Sequence, residues 1–214
     1  NCVRSFLLLL ALLGIGLPAY AQMESPELWS GYTLKYTIHK SLRAEAEQQF
    51  RTGDGLQNLR AAFLEGGLRY EITDYLHIKP QLRYTIRNKD RNEFRMSLDA
   101  NLSWNFKKWN LRPGYRFRFQ NTTVNYTGQN LTLLRNQLEL EYNLSKLVDP
   151  YLEYENFYRL NDKNEVRPHR YTLGAKWRLN KHTDPKTYLR RDNEVNVKDP
   201  EEENIIGMEL SFDL

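Results

Sequence analysis

The 214-residue sequence predicts an all-β protein: an antiparallel up-and-down transmembrane β-barrel of about 10–12 strands, with 12 preferred. Three observations predict it. From Leu28 onward, apolar residues recur with a period of two, where a helix would show 3.6. The alternating segments are also long. Phe94 to Phe106 alternates over 13 residues, whereas a strand of a soluble protein runs to ~5–6 and a tilted membrane-crossing strand needs ~9–11. Finally, short connections alternate with long polar ones, which is how outer-membrane barrels divide their two rims, the short turns being periplasmic.

The first 21 residues read as a secretory signal. Arg4 supplies the positive end, "FLLLLALLGIGL" the apolar segment, Pro18 the break, and Ala19-Tyr20-Ala21 the small-residue cleavage site. Cleavage before Gln22 leaves residues 22–214 as the barrel domain. It also removes the single cysteine, Cys2, which excludes disulfides, thiol catalysis and cysteine metal sites. Loss of Arg4 lowers the formal net charge from +4 to +3, a small excess in a chain that is 27% charged. A mean hydropathy of -0.73 is compatible with a membrane barrel, because only alternate residues face lipid.

Eleven segments carry the alternation. "YTLKYTI" puts Tyr32, Leu34, Tyr36 and Ile38 on one face. "LRAEAEQQF" sets Leu42, Ala44, Ala46 and Phe50 against Arg43, Glu45, Glu47 and Gln49. "LEGGLRYEI" and "LHIKPQLRYTI" follow the same rule. The cleanest is "FRMSLDANLSWNF", with Phe94, Met96, Leu98, Ala100, Leu102, Trp104 and Phe106 opposite Arg95, Ser97, Asp99, Asn101, Ser103 and Asn105. In "RPGYRFRFQ" Tyr115, Phe117 and Phe119 oppose Arg112, Arg116 and Arg118. Then come "LRNQLELEYNL", "PYLEYENFYRL", "RYTLGAKWRL", the weaker "TYLRRDNEV", and "NIIGMELSFDL". A chain that enters and leaves by the periplasm needs an even strand count. An extra short strand within residues 23 to 31 would give 12; exclusion of the first segment from the wall would give 10. Aromatic residues gather near both strand ends. Trp104, Phe106, Trp109, Tyr70, Tyr75 and Trp177 lie by short turns, and Phe50, Tyr84, Phe94, Phe119 and Tyr171 by long loops, as two interfacial belts would require.

Alternation places aromatics on lipid and charges in the interior. The expected lumen lining is Arg83, Arg95, Asp99, Arg112, Arg116, Arg118, Arg135, Glu139, Glu141, Glu153 and Glu155. Mixed charge in a narrow barrel forms a salt-bridged plug or lines a small pore. If Lys107-Lys108 is a two-residue turn, Phe106 pairs with Trp109 and Asp99 falls opposite Arg116. A nucleic-acid platform is excluded, because strict alternation puts the aromatics and arginines of "RPGYRFRFQ" on opposite faces.

Neither catalysis nor metal binding finds a constellation. His39 with Ser41, His77, His169 and His182 form no nucleophile–base–orienter trio. "DPEEEN" lacks the ligand spacing and turn glycine of a calcium loop. The expectation is therefore no enzyme, no catalytic residue, no metal and no cofactor.

"LWSGYTLKYTIHKSLRAEAEQQFR", "YLEYENFYRL", "RYTLGAKWRLNKH" and "ENIIGMELSFDL" resemble the outer-membrane family of the Bacteroidota known as domain of unknown function 2490. The resemblance implies a β-barrel in the outer membrane of a Gram-negative bacterium and no catalytic signature. The chain departs from the usual barrel ending, with Leu214 last and Phe212 as the nearest aromatic. The sequence reading is thus an outer-membrane barrel of structural, accessory or narrow-pore type. The alternatives are a barrel-embedded hydrolase and a soluble secreted ligand-binding barrel. Its expected partners are outer-membrane lipid and, during insertion, the barrel-assembly machinery, with a protein partner left open and nucleic acid excluded.

Overall fold

The computed structural model describes residues 26–53, 58–87, 91–125, 127–161, 165–180 and 182–214. The expected signal peptide and parts of several long loops lie outside them. Eleven strands form one closed barrel: β1 (Glu27–His39), β2 (Leu42–Gly53), β3 (Asn58–Thr73), β4 (Leu76–Arg87), β5 (Glu93–Ser103), β6 (Leu111–Val124), β7 (Asn130–Tyr142), β8 (Val148–Arg159), β9 (Glu165–Trp177), β10 (Thr183–Asn193) and β11 (Glu202–Asp213). Each has at least 11 residues, enough to cross a bilayer at a tilt. No described helix is long and apolar enough to do so.

All neighbours in sequence pair antiparallel. The barrel closes through β1 and β11, which run parallel, from Glu27↔Ile205 to Lys35↔Asp213. The count of eleven lies within the expected range and differs from the preferred twelve for a topological reason. A parallel seam joins two strands of the same direction, so the even-number requirement does not apply. Glu27 begins β1 at the long-loop rim, and β1 is part of the wall.

The outer face is predominantly apolar. Leu64, Leu82, Met96, Leu98, Leu138, Leu152 and Leu173 are all at least half exposed. In water this would be an extensive apolar patch; in a bilayer it is the lipid-facing girdle. Exposed Tyr75, Trp104, Phe106, Trp109 and Trp177 lie toward the short-turn rim, and exposed Phe50, Tyr84, Phe94 and Tyr171 toward the long-loop rim, whereas Phe119, also expected there, stands opposite Leu98 in mid-wall.

The turn between β5 and β6 corrects the expected register. Lys107–Trp109 is a 3-10 turn, and Asn110 takes a left-handed conformation (φ 54°) while donating its backbone N–H to the Lys107 carbonyl. Asparagine tolerates that region because its short polar side chain bonds locally. The connection is therefore four residues long, closed by a Phe106↔Leu111 bridge. Relative to a two-residue turn, β6 slides by two positions. Leu98 meets Phe119, Ala100 meets Phe117 and Asp99 meets Arg118. A slip of two keeps every face and changes every partner.

Two lumen-facing tyrosines lie over glycines of the next strand. Tyr188 is paired with Gly207 and Tyr151 with Gly174. A Cβ at either glycine would overlap the ring opposite. Both rings are buried and form one apolar cluster with Trp29 and Ile205.

Candidate functional site: a charged lumen

The interior holds a cavity of about 630 Å³. Its walls include His77 and Asn101 near the short-turn rim and Val124 and Leu131 near the long-loop rim. Twelve arginines and lysines face it, against nine aspartates and glutamates.

The acids are held in multivalent pairs. Asp99 accepts two bonds from Arg118, Nε to Oδ1 at 2.6 Å and Nη2 to Oδ2 at 2.7 Å, and a third from Gln81 Nε2 at 2.9 Å. Bidentate guanidinium–carboxylate bonds of this kind are strong and fix orientation. Glu155 gathers three cations. Arg135 reaches it through Nε (3.0 Å) and Nη2 (2.9 Å), Arg116 through Nη2 (2.7 Å), and Arg170 through Nη1 (3.5 Å). Arg170 also donates Nε to Asp192 at 2.7 Å. Arg116, expected opposite Asp99, sits opposite Asn101 instead and turns to Glu155.

Toward the short-turn rim, Glu141 pairs with Arg112 (2.7 Å) and Lys176 (2.7 Å), and Lys176 also meets Glu139 (2.5 Å). Lys79 meets Glu45 at 2.5 Å. Glu153 pairs with Lys186 at 3.2 Å and Arg190 at 3.7 Å. Of the eleven lumen residues named from sequence, nine line the cavity. Arg112 and Glu141 pair with each other outside it.

Toward the long-loop rim the balance shifts to cations. Arg83 donates Nε to Glu65 at 2.7 Å. Arg95 stands directly opposite Arg83 in the β4–β5 ladder. Its Nε bonds Thr122 Oγ1 at 3.2 Å, and its nearest carboxylate, Glu93, is 3.9 Å away. Arg51 donates Nε to the Gln49 side-chain carbonyl at 2.9 Å. Its guanidinium lies 3.7 Å from the Trp29 ring centre and 5.3 Å from that of Phe63, and Arg83 covers Phe63 at 3.5 Å. Arg170 and Arg190 approach Trp29 at 5.7 and 5.4 Å. The ring faces thus take the role that carboxylates play elsewhere in the lumen.

Arg51, Arg170, Arg190, Lys186, Trp29 and Phe63 were not among the residues named from sequence. The cations were within reach of parity: Arg51 follows Glu47 and Gln49 at two-residue steps, and Arg190 follows Lys186 and Tyr188. The inward aromatics break the rule that aromatics face lipid, and only the barrel's closure shows what they touch. Among the histidines, His77 lines the cavity, His169 Nδ1 lies 2.8 Å from the Tyr154 hydroxyl, and His182 Nδ1 lies 3.3 Å from the Asp213 carbonyl. Among the described residues no cluster of three potential metal ligands occurs.

Three solved structures align with this chain. A NanC porin structure aligns over 88% of this chain and 99% of its own, with a TM-score of 0.53 and 13% identity. An anion-selective porin from Comamonas acidovorans aligns over 81% of this chain, which spans 53% of that porin's length, with a TM-score of 0.42 and 14% identity. The siderophore receptor PirA from Pseudomonas aeruginosa aligns over 79% of this chain and 35% of its own, with a TM-score of 0.36 and 14% identity. At such identities the likeness is one of fold, and the first of the three carries it. No curated protein matches the chain in sequence. A family model matches residues 27–200, from the first residue of β1 to the loop before β11, and the chain therefore belongs to the family described as "Protein of unknown function (DUF2490)".

Proposed function

We propose that the protein resides in the outer membrane of a Gram-negative bacterium and serves as a narrow pore for small hydrophilic solutes, with a bias toward anions. The observation that supports this reading is the lumen: one cavity is lined from near one rim to near the other, with cations outnumbering acids. Low-dielectric walls focus the field of such a lining and raise the local concentration of counter-ions. The apolar outer face and its two aromatic belts fit a bilayer. A Bacteroidota host is carried by the sequence resemblance alone. Insertion through the barrel-assembly machinery belongs to the same proposal. Phe212, on the outward face of β11 opposite Leu34, is the aromatic that the machinery would read.

The test is reconstitution of heat-modifiable, folded protein into planar bilayers. Small ohmic steps are expected. In a potassium chloride gradient, the reversal potential should have the sign of preferred chloride passage. Folded protein that carries no current would overturn the pore and leave the structural role.

A further inference from the structure

The arginines near the long-loop rim have a charge imbalance that the pairing of the rest of the lumen does not explain. Arg83 and Arg95 face each other directly across β4 and β5, an arrangement that is destabilising between like charges. Glu65 contacts Arg83 at 2.7 Å, with Glu47 beside it in the β2–β3 ladder, whereas Arg95 has Glu93 only at 3.9 Å. Arg51 adds a third guanidinium, whose partners among the described residues are a neutral side-chain carbonyl and two ring faces. Arg95 feels the like charges of Arg83, Arg135 and Arg51, against the carboxylate of Glu93. All three guanidiniums line the cavity. Elsewhere in the lumen an acid answers each such cluster: Glu155 for Arg116, Arg135 and Arg170, and Asp99 for Arg118.

We propose that Arg51, Arg83 and Arg95 form a saturable binding subsite for a small solute bearing a carboxylate or phosphate group. The anion supplies the missing counter-charge between β2, β4 and β5. The guanidinium fork matches both oxyanions bidentately, which a chloride ion cannot exploit. Trp29 lies against the Arg51 guanidinium and Phe63 against that of Arg83, and both arginines line the cavity. The proposal deepens the pore reading by naming its solute class, yet a binding site can exist in a barrel that conducts nothing.

The experiment is therefore a binding measurement on detergent-solubilised folded protein, by calorimetry and by the fluorescence of Trp29. The probes are glucuronate, inorganic phosphate and uncharged glucose, at constant ionic strength. Saturable binding of glucuronate, phosphate or both is expected, with none for glucose. Binding of only one of the two decides between carboxylate and phosphate. Arg51→Gln and Arg95→Gln should each weaken binding by about tenfold or more, as loss of a charged hydrogen-bond donor does, while Lys108→Gln, in the turn before β6, leaves it unchanged. Trp29→Phe should abolish the fluorescence response and keep the calorimetric one. Variants are compared only where the unboiled protein retains its folded gel mobility, and either arginine variant suffices. No saturation by either oxyanion, or equal affinity in a folded arginine variant, overturns the subsite. Absence of current in bilayers with binding intact would overturn the pore alone.

Discussion

At the scale of single residues, the lumen is organised by carboxylates that answer more than one donor, Asp99, Glu141, Glu153 and Glu155. Asp99 and Arg118 are 3% and 6% exposed, so removal of either strands a charge in a poorly solvated interior. Breaking such a pair from one side costs about 3–5 kcal/mol. Asp99→Ala and Arg118→Ala are each expected to lower stability by that order in urea unfolding from detergent or lipid, and the double variant by less than their sum. Arg116→Ala should couple more strongly to Glu155→Ala than to Asp99→Ala, since Arg116 bonds Glu155. Additivity of Asp99 and Arg118 would refute the observed register. A second residue-scale expectation concerns the glycine under Tyr188. Gly207→Val places branched carbons where that ring lies. The ring must leave its hydrogen bond to Glu209, a 3.0 Å contact. Overpacking of this kind costs about 1–3 kcal/mol. Gly66→Val, in β3 where the same Cβ meets nothing within 4 Å, is the control and should be far milder in the same unfolding assay.

At the scale of strands, alternation was legible in the sequence and pairing was not. The parity that put Leu98 outward and Asp99 inward holds in β5, where Leu98 is half exposed and Asp99 buried. Leu98→Arg therefore sets a charge against mid-bilayer lipid, at a cost of about 2–4 kcal/mol. Leu98→Phe should be nearly neutral. Comparison of their urea midpoints in lipid vesicles checks this, and equal midpoints would mean that Leu98 does not face lipid. Which residue Asp99 meets was illegible, for a local reason. The sequence "KKWN" does not announce whether its turn is closed by two residues or four, and the left-handed Asn110 decides it. That one conformation moved the partner of Asp99 from Arg116 to Arg118. The same limit applies to the candidate subsite. Parity alone could have turned Arg51, Arg83 and Arg95 inward. Their proximity needs the order of β2 to β5 around the wall, and the bulge between Arg51 and Thr52. The polar look of "TYLRRDNEV" has a simple origin. Arg190 and Asp192 face the lumen with ion partners, and Arg191 faces outward at the rim, paired to Glu202.

At the scale of the molecule, ten of the eleven strand pairings join neighbours in the chain. The β1–β11 seam alone is non-local and parallel, and parallel ladders are slightly less stable per residue. Hydrogen–deuterium exchange in detergent is expected to open β1 and β11 amides before those of β6 and β7. Uniform exchange around the barrel would show that the seam is no weaker than the hairpins. The seam also governs assembly. Hairpins can form in order as the chain arrives, but the sheet keeps two raw edges until the last strand docks on the first. Such edges invite mispairing with other chains, so the clasp has to be made while something shields both. A further consequence concerns how the chain can be recut. In an even-stranded barrel the two ends emerge at the same rim, and a few residues would link them into a circular permutant. Here β1 starts at one rim and β11 finishes at the other. A linker would have to travel the full height of the wall, roughly 30 Å or more, through the lumen or the lipid. The order of the strands is thereby locked to one starting point, and permuted genes that cut at any of the loops should fail to yield a heat-modifiable barrel.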